Sequence, residues 1–246
     1  MIELINLFKD FESHPVLRGV NLTIRDGETM VIIGRSGCGK SVLLKHMIGL
    51  MRPDRGQVIV DGEEVSRADA AALRRIRMRF GMLFQGAALF DSMSVGENVA
   101  FPLREHTEMT EVQVQTRVKE CLSMVGLSGI EHLKPAELSG GMRKRVGLAR
   151  AVAIQPRVIL YDEPTTGVDP VGADAINHLI KGLHDRLKVT SVVVTHDMVS
   201  ATTIADRIAM LHDGRILQQG TVREIQNTSN PIVRQFILGK SENGGG

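Results

Sequence analysis

The chain has 246 residues, 43% of them hydrophobic and 24% charged, a balance that supports a packed core and excludes a disordered chain. Thirty basic residues against 28 acidic ones leave a net charge of +2, so no whole-protein field draws in nucleic acid or an anionic membrane, and no nucleic-acid partner is expected. Cys38 and Cys121 have neither metal-ligand nor redox spacing and read as small packing residues in a reducing compartment.

Alternating apolar and polar residues at 2–7 and again at 20–24 predict two half-buried strands, joined by a turn around Glu12-Ser13-His14-Pro15 and paired antiparallel. Residues 29–33 are almost continuously apolar, as a buried strand requires, and a helix is expected over 40–48 with Leu43, Leu44, Met47 and Ile48 inward. Pro53-Asp54-Arg55-Gly56 turns the chain into a strand at 57–60, and another strand, 80–84, runs into Gln85. Val114, Val118, Leu122 and Val125 form one helical stripe, and Met142, Val146, Ala149, Val152 and Ala153 a second. Strands follow at 158–161 and 191–194, with a helix after Pro170 between them. A hairpin pairs 207–211 with 215–219 about Asp213-Gly214, and two short helices are expected at 222–225 and 232–238. Strands alternating with helices imply a parallel sheet covered on both faces. No apolar run approaches the ~20 residues that span a bilayer, so any membrane role requires a partner. Gly244-Gly245-Gly246 closes a tail, 241–246, expected to be flexible.

Between strand 29–33 and the next helix lies Gly34-Arg35-Ser36-Gly37-Cys38-Gly39-Lys40-Ser41. Its glycines let backbone N–H groups approach phosphate oxygens, and the helix start adds its positive dipole end. Lys40 is placed to reach the β- and γ-phosphates of a nucleoside triphosphate, and the Ser41 hydroxyl to hold Mg²⁺. Asp162 and Glu163 end a buried strand, where ligands of open α/β sheets collect. Asp162 suits a metal, and Glu163 suits orientation and deprotonation of an attacking water, since phosphoryl transfer depends on an in-line nucleophile. Ser139-Gly140-Gly141 reads as a second helix start offering N–H groups to an anion, or as an ordinary serine cap with flexible glycines.

In this order, the phosphate loop, Gln85, Leu138-Ser139-Gly140-Gly141-Met142, Asp162-Glu163, Gly167-Val168-Asp169 and His196 resemble the ATPase subunits of ABC transporters over nearly the whole chain. The resemblance implies an α/β P-loop NTPase of RecA-like core, with an N-terminal antiparallel β subdomain and an inserted helical subdomain. The core and β subdomain are expected at 1–85 and 154–240, the helical insertion at 86–153. It further implies that Gln85 senses Mg²⁺ and water at a hinge, that His196 contacts the γ-phosphate, and that Phe11 stacks on adenine with Val16 beside the ring. Ser139, Gly140 and Gly141 would complete the ATP site of a second copy in a head-to-tail homodimer, with Asp169 across the same interface.

Ser41-Val42-Leu43-Leu44-Lys45-His46, residues 85–92 and residues 137–145 are similar to the bacterial Mkl/MlaF group of lipid-transport ATPases. Met142 stands where many ABC proteins carry Gln, and Arg143-Lys144-Arg145 reads as a solvated helix face. The group implies a peripheral subunit on the cytoplasmic face of the bacterial inner membrane. A permease would bind near Leu89, Phe90 and Met93, where these residues either form a groove or pack inside the arm, and the expected partners extend to an MCE-type substrate-binding protein and a small regulatory subunit. The tail helices read equally as dimer contacts or as a terminal element on their own domain. The alternatives are the ATPase of a small-solute importer, such as an amino-acid system, and a soluble assembly or scaffold ATPase.

Overall fold

The computed structural model describes residues 1–12 and 14–239; the tail expected at 241–246 lies outside the described residues. In chain order the elements are β1 (Ile2–Phe11), β2 (His14–Ile24), β3 (Thr29–Ile33), α1 (Lys40–Met47), β4 (Arg55–Val60), β5 (Glu63–Glu64), α2 (Ala70–Arg77), β6 (Phe80–Leu83), α3 (Val95–His106), α4 (Glu111–Met124), a 3-10 turn (Pro135–Glu137), α5 (Gly140–Val152), β7 (Val158–Asp162), α6 (Pro170–Leu187), β8 (Thr190–Thr195), α7 (Met198–Ile204), β9 (Arg207–His212), β10 (Arg215–Thr221), α8 (Val222–Gln226) and α9 (Pro231–Ile237). The chain divides into two compact units, Met1–Leu73 with the chain from Val192 onward, and Arg74–Ser191.

In the first unit, β2, β1, β4 and β5 form an antiparallel sheet in that order. Ile2 pairs with Ile24 and Val60, and Leu4 with Leu22 and Val58, so one face of the sheet is apolar and buried. Strict alternation would turn Leu7 outward. The register shifts between Leu4 and Leu7, with Asn6 at φ 46°, and this bulge returns Leu7 to the buried face. Gly56 is required opposite the bulge, because a Cβ there would meet the Asn6 carbonyl oxygen at 2.2 Å. Phe8, whose place in the strand pattern suggests a core residue, is instead half-buried, with the Arg55 guanidinium 4.3 Å above its ring.

The other sheet strands of this unit run in the order β10, β9, β3, β8. β3 and β9 are parallel, and β10 returns antiparallel through Asp213 and Gly214, both at positive φ as a tight hairpin needs. Every residue of β3 is buried, the condition of a strand covered on both faces.

In the second unit, β6 and β7 pair in parallel, Phe80 with Val158 through Leu83 with Tyr161. α3 and α4 open on complete capping boxes, Ser94 with Glu97 and Thr110 with Gln113. α4 buries Val114, Val118 and Leu122, the expected stripe, and α5 buries Val146, Ala149 and Val152. Arg117 reaches from α4 to the end of α5, donating to the carbonyls of Ala153 at 3.0 Å and Val152 at 3.1 Å. A cation there also answers the negative end of the helix dipole.

His46, on α1, is buried, its Nδ1 2.7 Å from the Val42 carbonyl oxygen. Burial, with the charge of Lys9 adding to it, holds its pKa below the ordinary 6.5. A depressed histidine pKa means that the unfolded chain takes up the proton first. Its contribution to stability is therefore complete above the ordinary value and declines as pH falls from there toward the folded-state pKa. Thermal melts of wild type and His46→Gln should show the wild-type advantage shrinking between about pH 7.5 and about pH 5; a constant difference would contradict this.

Candidate nucleotide site

In the first unit, β3 ends at Ile33 and the chain passes directly into the glycine-rich loop. A Cβ on Gly34 would lie 2.4 Å from the Leu211 carbonyl oxygen and 2.7 Å from Cys38 Sγ, and Gly39 holds φ 104° where α1 begins. Gly39 gives α1 no side-chain cap, so the start of the helix is shaped to receive an anion through its N–H groups. Arg35, Ser36 and Gly37 are exposed, Cys38 and Ser41 half-buried. Lys40 is buried beneath them, donating from Nζ to the carbonyls of Gly34 at 2.8 Å and Arg35 at 3.1 Å. The ammonium thus lies under an exposed loop crest, the arrangement that phosphate binding needs.

Val16 adjoins this loop, since a Cβ on Gly39 would stand 2.9 Å from its Cγ1. Phe11 closes β1 rather than sitting in the turn after it, pairs with His14, and is 39% exposed with Lys9 Nζ 5.6 Å from its ring. His196, exposed just past β8, shares a cavity of about 290 Å³ with Arg35 and Ser36 of the loop. His212, Gln235 and Phe236 line the same cavity. Sequence reasoning missed these three because they stand near no motif; α9 carries the last two.

In the second unit, Gln85 lies exposed after β6, and the chain then passes through Ala87 at φ 62° and Ala88 at φ 47°. β7 is buried throughout and delivers Asp162 and Glu163, each 7% exposed. Glu163 takes φ 48°, and its carboxylate accepts from the Thr166 hydroxyl at 3.2 Å. Ser139 caps α5, its hydroxyl accepting from the Met142 N–H at 3.2 Å, so the capping reading of this serine holds in the structure. A Cβ on Gly140 would lie 3.6 Å from the Gly167 carbonyl oxygen and one on Gly141 3.8 Å from Val168. The Ser139-Gly140-Gly141 turn and the Gly167-Val168-Asp169 loop are therefore neighbours. Asp169 caps α6 by accepting from the Gly172 N–H at 3.0 Å, a bond that lowers its pKa.

The reading of Arg143-Lys144-Arg145 as a solvated face needs correction. Arg143 is exposed, Arg145 is half-buried, and Lys144 is only 6% exposed. Its Nζ donates to the Gln85 carbonyl in a short bond and to the Glu163 carbonyl at 3.1 Å. Burial lowers the Lys144 pKa, against the charges of Asp162 and Glu163, which favour its protonated form.

Leu89 and Met93 are half-buried and Phe90 is 44% exposed, its ring 5.1 Å from that of Phe101. Asn98, wholly buried, holds their loop from α3 by accepting from the Phe90 N–H at 2.8 Å and donating to the Phe90 carbonyl at 3.1 Å. Among the described residues no helix is long and apolar enough to cross a membrane.

Residues 17–166 match the family model described as ABC transporter. The chain is 44% identical over 97% of its length, and 67% of the relative's, to the probable ribonucleotide transport ATP-binding protein mkl of Mycobacterium tuberculosis. It is 40% identical over 98% of its length, and 92% of the relative's, to the intermembrane phospholipid transport system ATP-binding protein MlaF of Haemophilus influenzae. Among solved structures, the post-hydrolysis dimer of the ATP-binding cassette MJ0796 bound to ADP and Pi superposes with a TM-score of 0.84 at 35% identity, covering 91% of this chain and 99% of that one. Loop, acidic strand end and signature turn thus agree with family and structural likeness: this chain belongs to the ABC transporter family, as a nucleotide-binding, ATP-hydrolysing subunit.

Proposed function

We propose that the chain works as a homodimer that closes around two ATP molecules and drives phospholipid movement by a permease in the cytoplasmic membrane of a bacterium, with an MCE-type protein handling the lipid. The observation that carries the two-chain mechanism is the adjacency of Gly140 to Gly167. The signature turn and the Asp169 loop lie side by side, which supports a shared surface for another copy in a chain that already has its own phosphate loop.

Each residue then has a part. The N–H groups from Gly34 to Ser41 cradle phosphate oxygens, with Arg35, Ser36, Gly37, Cys38 and Gly39 shaping the loop and Lys40 balancing the phosphate charge. Phe11 and Val16 flank the adenine, a stack worth about 1 kcal/mol that does not read the base edge. Glu163 orients and deprotonates water, and His196 steadies the γ-phosphate. Ser139, Gly140 and Gly141 act on the partner's nucleotide, with Asp169 at the same interface. The Ser41 hydroxyl, the Gln85 amide oxygen and the Asp162 carboxylate are hard oxygen donors, the chemistry that suits Mg²⁺, and these residues would hold it. When bound, Mg²⁺ neutralises charge that develops on the phosphates.

A trans site has a direct test. Ser139→Arg and Lys40→Ala chains should each hydrolyse ATP poorly alone, and mixing them should restore turnover, because one site of the mixed dimer has both halves intact. Full activity of either variant alone would overturn the two-chain site.

The permease contact is assigned to Phe90 with Leu89 and Met93, by docking of a helix in a groove. Phe90→Asp should abolish transport while melting temperature and ATP turnover of the isolated chain stay close to wild type; a collapsed melting temperature would instead make Phe90 a core residue of the arm. For cargo, the relatives named above carry two different words, ribonucleotide and phospholipid. Phospholipid is favoured because that relative matches along nearly its whole length. Affinity purification of the chain from membranes should bring down an integral permease with an MCE protein, and mass spectrometry of the complex should find phospholipid; bound ribonucleotide other than the hydrolysed ATP would overturn the cargo assignment.

A further inference from the structure

The helix that starts at the signature turn has a second working face. Lys144, Gly147 and Arg150 recur every three residues along α5 and so share one side of it. Lys144 donates to the carbonyls of Gln85 and Glu163. Arg150 forks onto the carbonyls of Ala88 at 2.6 Å and Ala87 at 2.7 Å. Gly147, between them, permits the approach, since a Cβ there would stand 2.9 Å from Leu83 Cδ1 and 3.2 Å from Ala87 Cβ. A buried ammonium is costly unless its protons are bonded, and here they go to main-chain oxygens on two separate loops.

The gripped backbone is strained. Ala87, Ala88 and Glu163 hold φ values of 62°, 47° and 48°, a region that residues with a Cβ occupy only where their surroundings hold them. Three of the four carbonyls held by Lys144 and Arg150 belong to these residues. A uniform helix face meant for solvent would leave all three without that support.

We propose that Lys144 is a positioning residue for ATP hydrolysis, fixing the backbone of Gln85 and of Glu163 to one signature helix, with Arg150 securing the rest of the Gln85 loop. A signature helix that moves on meeting the partner's nucleotide thereby moves the metal-sensing glutamine and the water-orienting glutamate of its own chain. The inference rests on the roles given above to Gln85 and Glu163.

Steady-state hydrolysis by the full chain tests it, using Lys144→Met, Lys144→Arg, Gln85→Ala, Glu163→Gln and the Lys144→Met/Gln85→Ala double variant. Lys144→Met should lower kcat at least about tenfold with KM for ATP within about threefold, and Lys144→Arg, which keeps the donors, should recover most of the rate. The double variant should lose less than the product of the two single losses, because the part of the Lys144 effect that runs through Gln85 is already gone in Gln85→Ala. Wild-type kcat in Lys144→Met would overturn the proposal, as would losses that multiply in the double variant. So would a fall in the melting temperature of Lys144→Met large enough to account for the lost rate. Wild-type turnover in Gln85→Ala and Glu163→Gln is a different failure, that of the underlying assignment, and is read from those two variants alone.

Discussion

A strand covered on both faces has room for chemistry only where it stops. β3, β7 and β8 are buried at every position, and a polar side chain in such a strand must find a partner or remain a liability. The groups proposed to act on nucleotide and water therefore each stand at or just beyond the last apolar residue of their own strand: Gly34 after β3, Asp162 and Glu163 at the end of β7, His196 after β8. Gln85 stands in the same relation to β6. The apolar runs fix where each reactive group emerges, and the loops fix only how it is aimed.

That constraint also explains what was legible in the sequence. Continuous apolar runs and helical stripes are long-period signals, and β3, β7, β8 and the α4 stripe can be read from them within a residue or two. The glycine-rich loop, Gln85, the Asp162-Glu163 pair and His196 each stand at the end of such a strand, so their places along the chain were legible too. The sequence did not disclose tertiary exceptions to local pattern. The bulge at Asn6 keeps Leu7 buried, although strict alternation would expose it. The Arg55 guanidinium covers Phe8 and holds it at the surface of the sheet. Lys144 looked solvated because a basic run usually is, and only the fold brings two carbonyls to it. His212, Gln235 and Phe236 stand beside the phosphate loop through long-range packing that no spacing encodes.

α5 joins these two kinds of information. Its first turn is built from glycines that lie beside Gly167 and Val168, where the N–H groups of a helix start have no partner within the helix. Its flank carries basic side chains that reach inward to strained backbone. Small residues permit close approach at one end, and long cations span the gap along the side. On the proposed roles, a single helix would respond to a nucleotide at its start and hold the Gln85 and Glu163 backbone along its length.

Met142 gains a physical meaning from the same helix. It occupies the third position after the Ser139 cap, where α3, α4 and α8 of this chain place Glu97, Gln113 and Glu224 to close a capping box. A glutamine there would reach back to the serine N–H; a methionine has no such group to offer. The signature start is held instead by the single Ser139 hydroxyl bond and by Arg143 donating to the Leu138 carbonyl at 2.7 Å. The Ser139 hydroxyl accepts the Met142 N–H through a lone pair, so its O–H can donate to a phosphate without giving up the cap. An anion arriving from a second chain, as proposed, would gain a charge-assisted bond about twice as strong as a neutral one. Without a box at its start, the helix is held along its flank by Lys144 and Arg150.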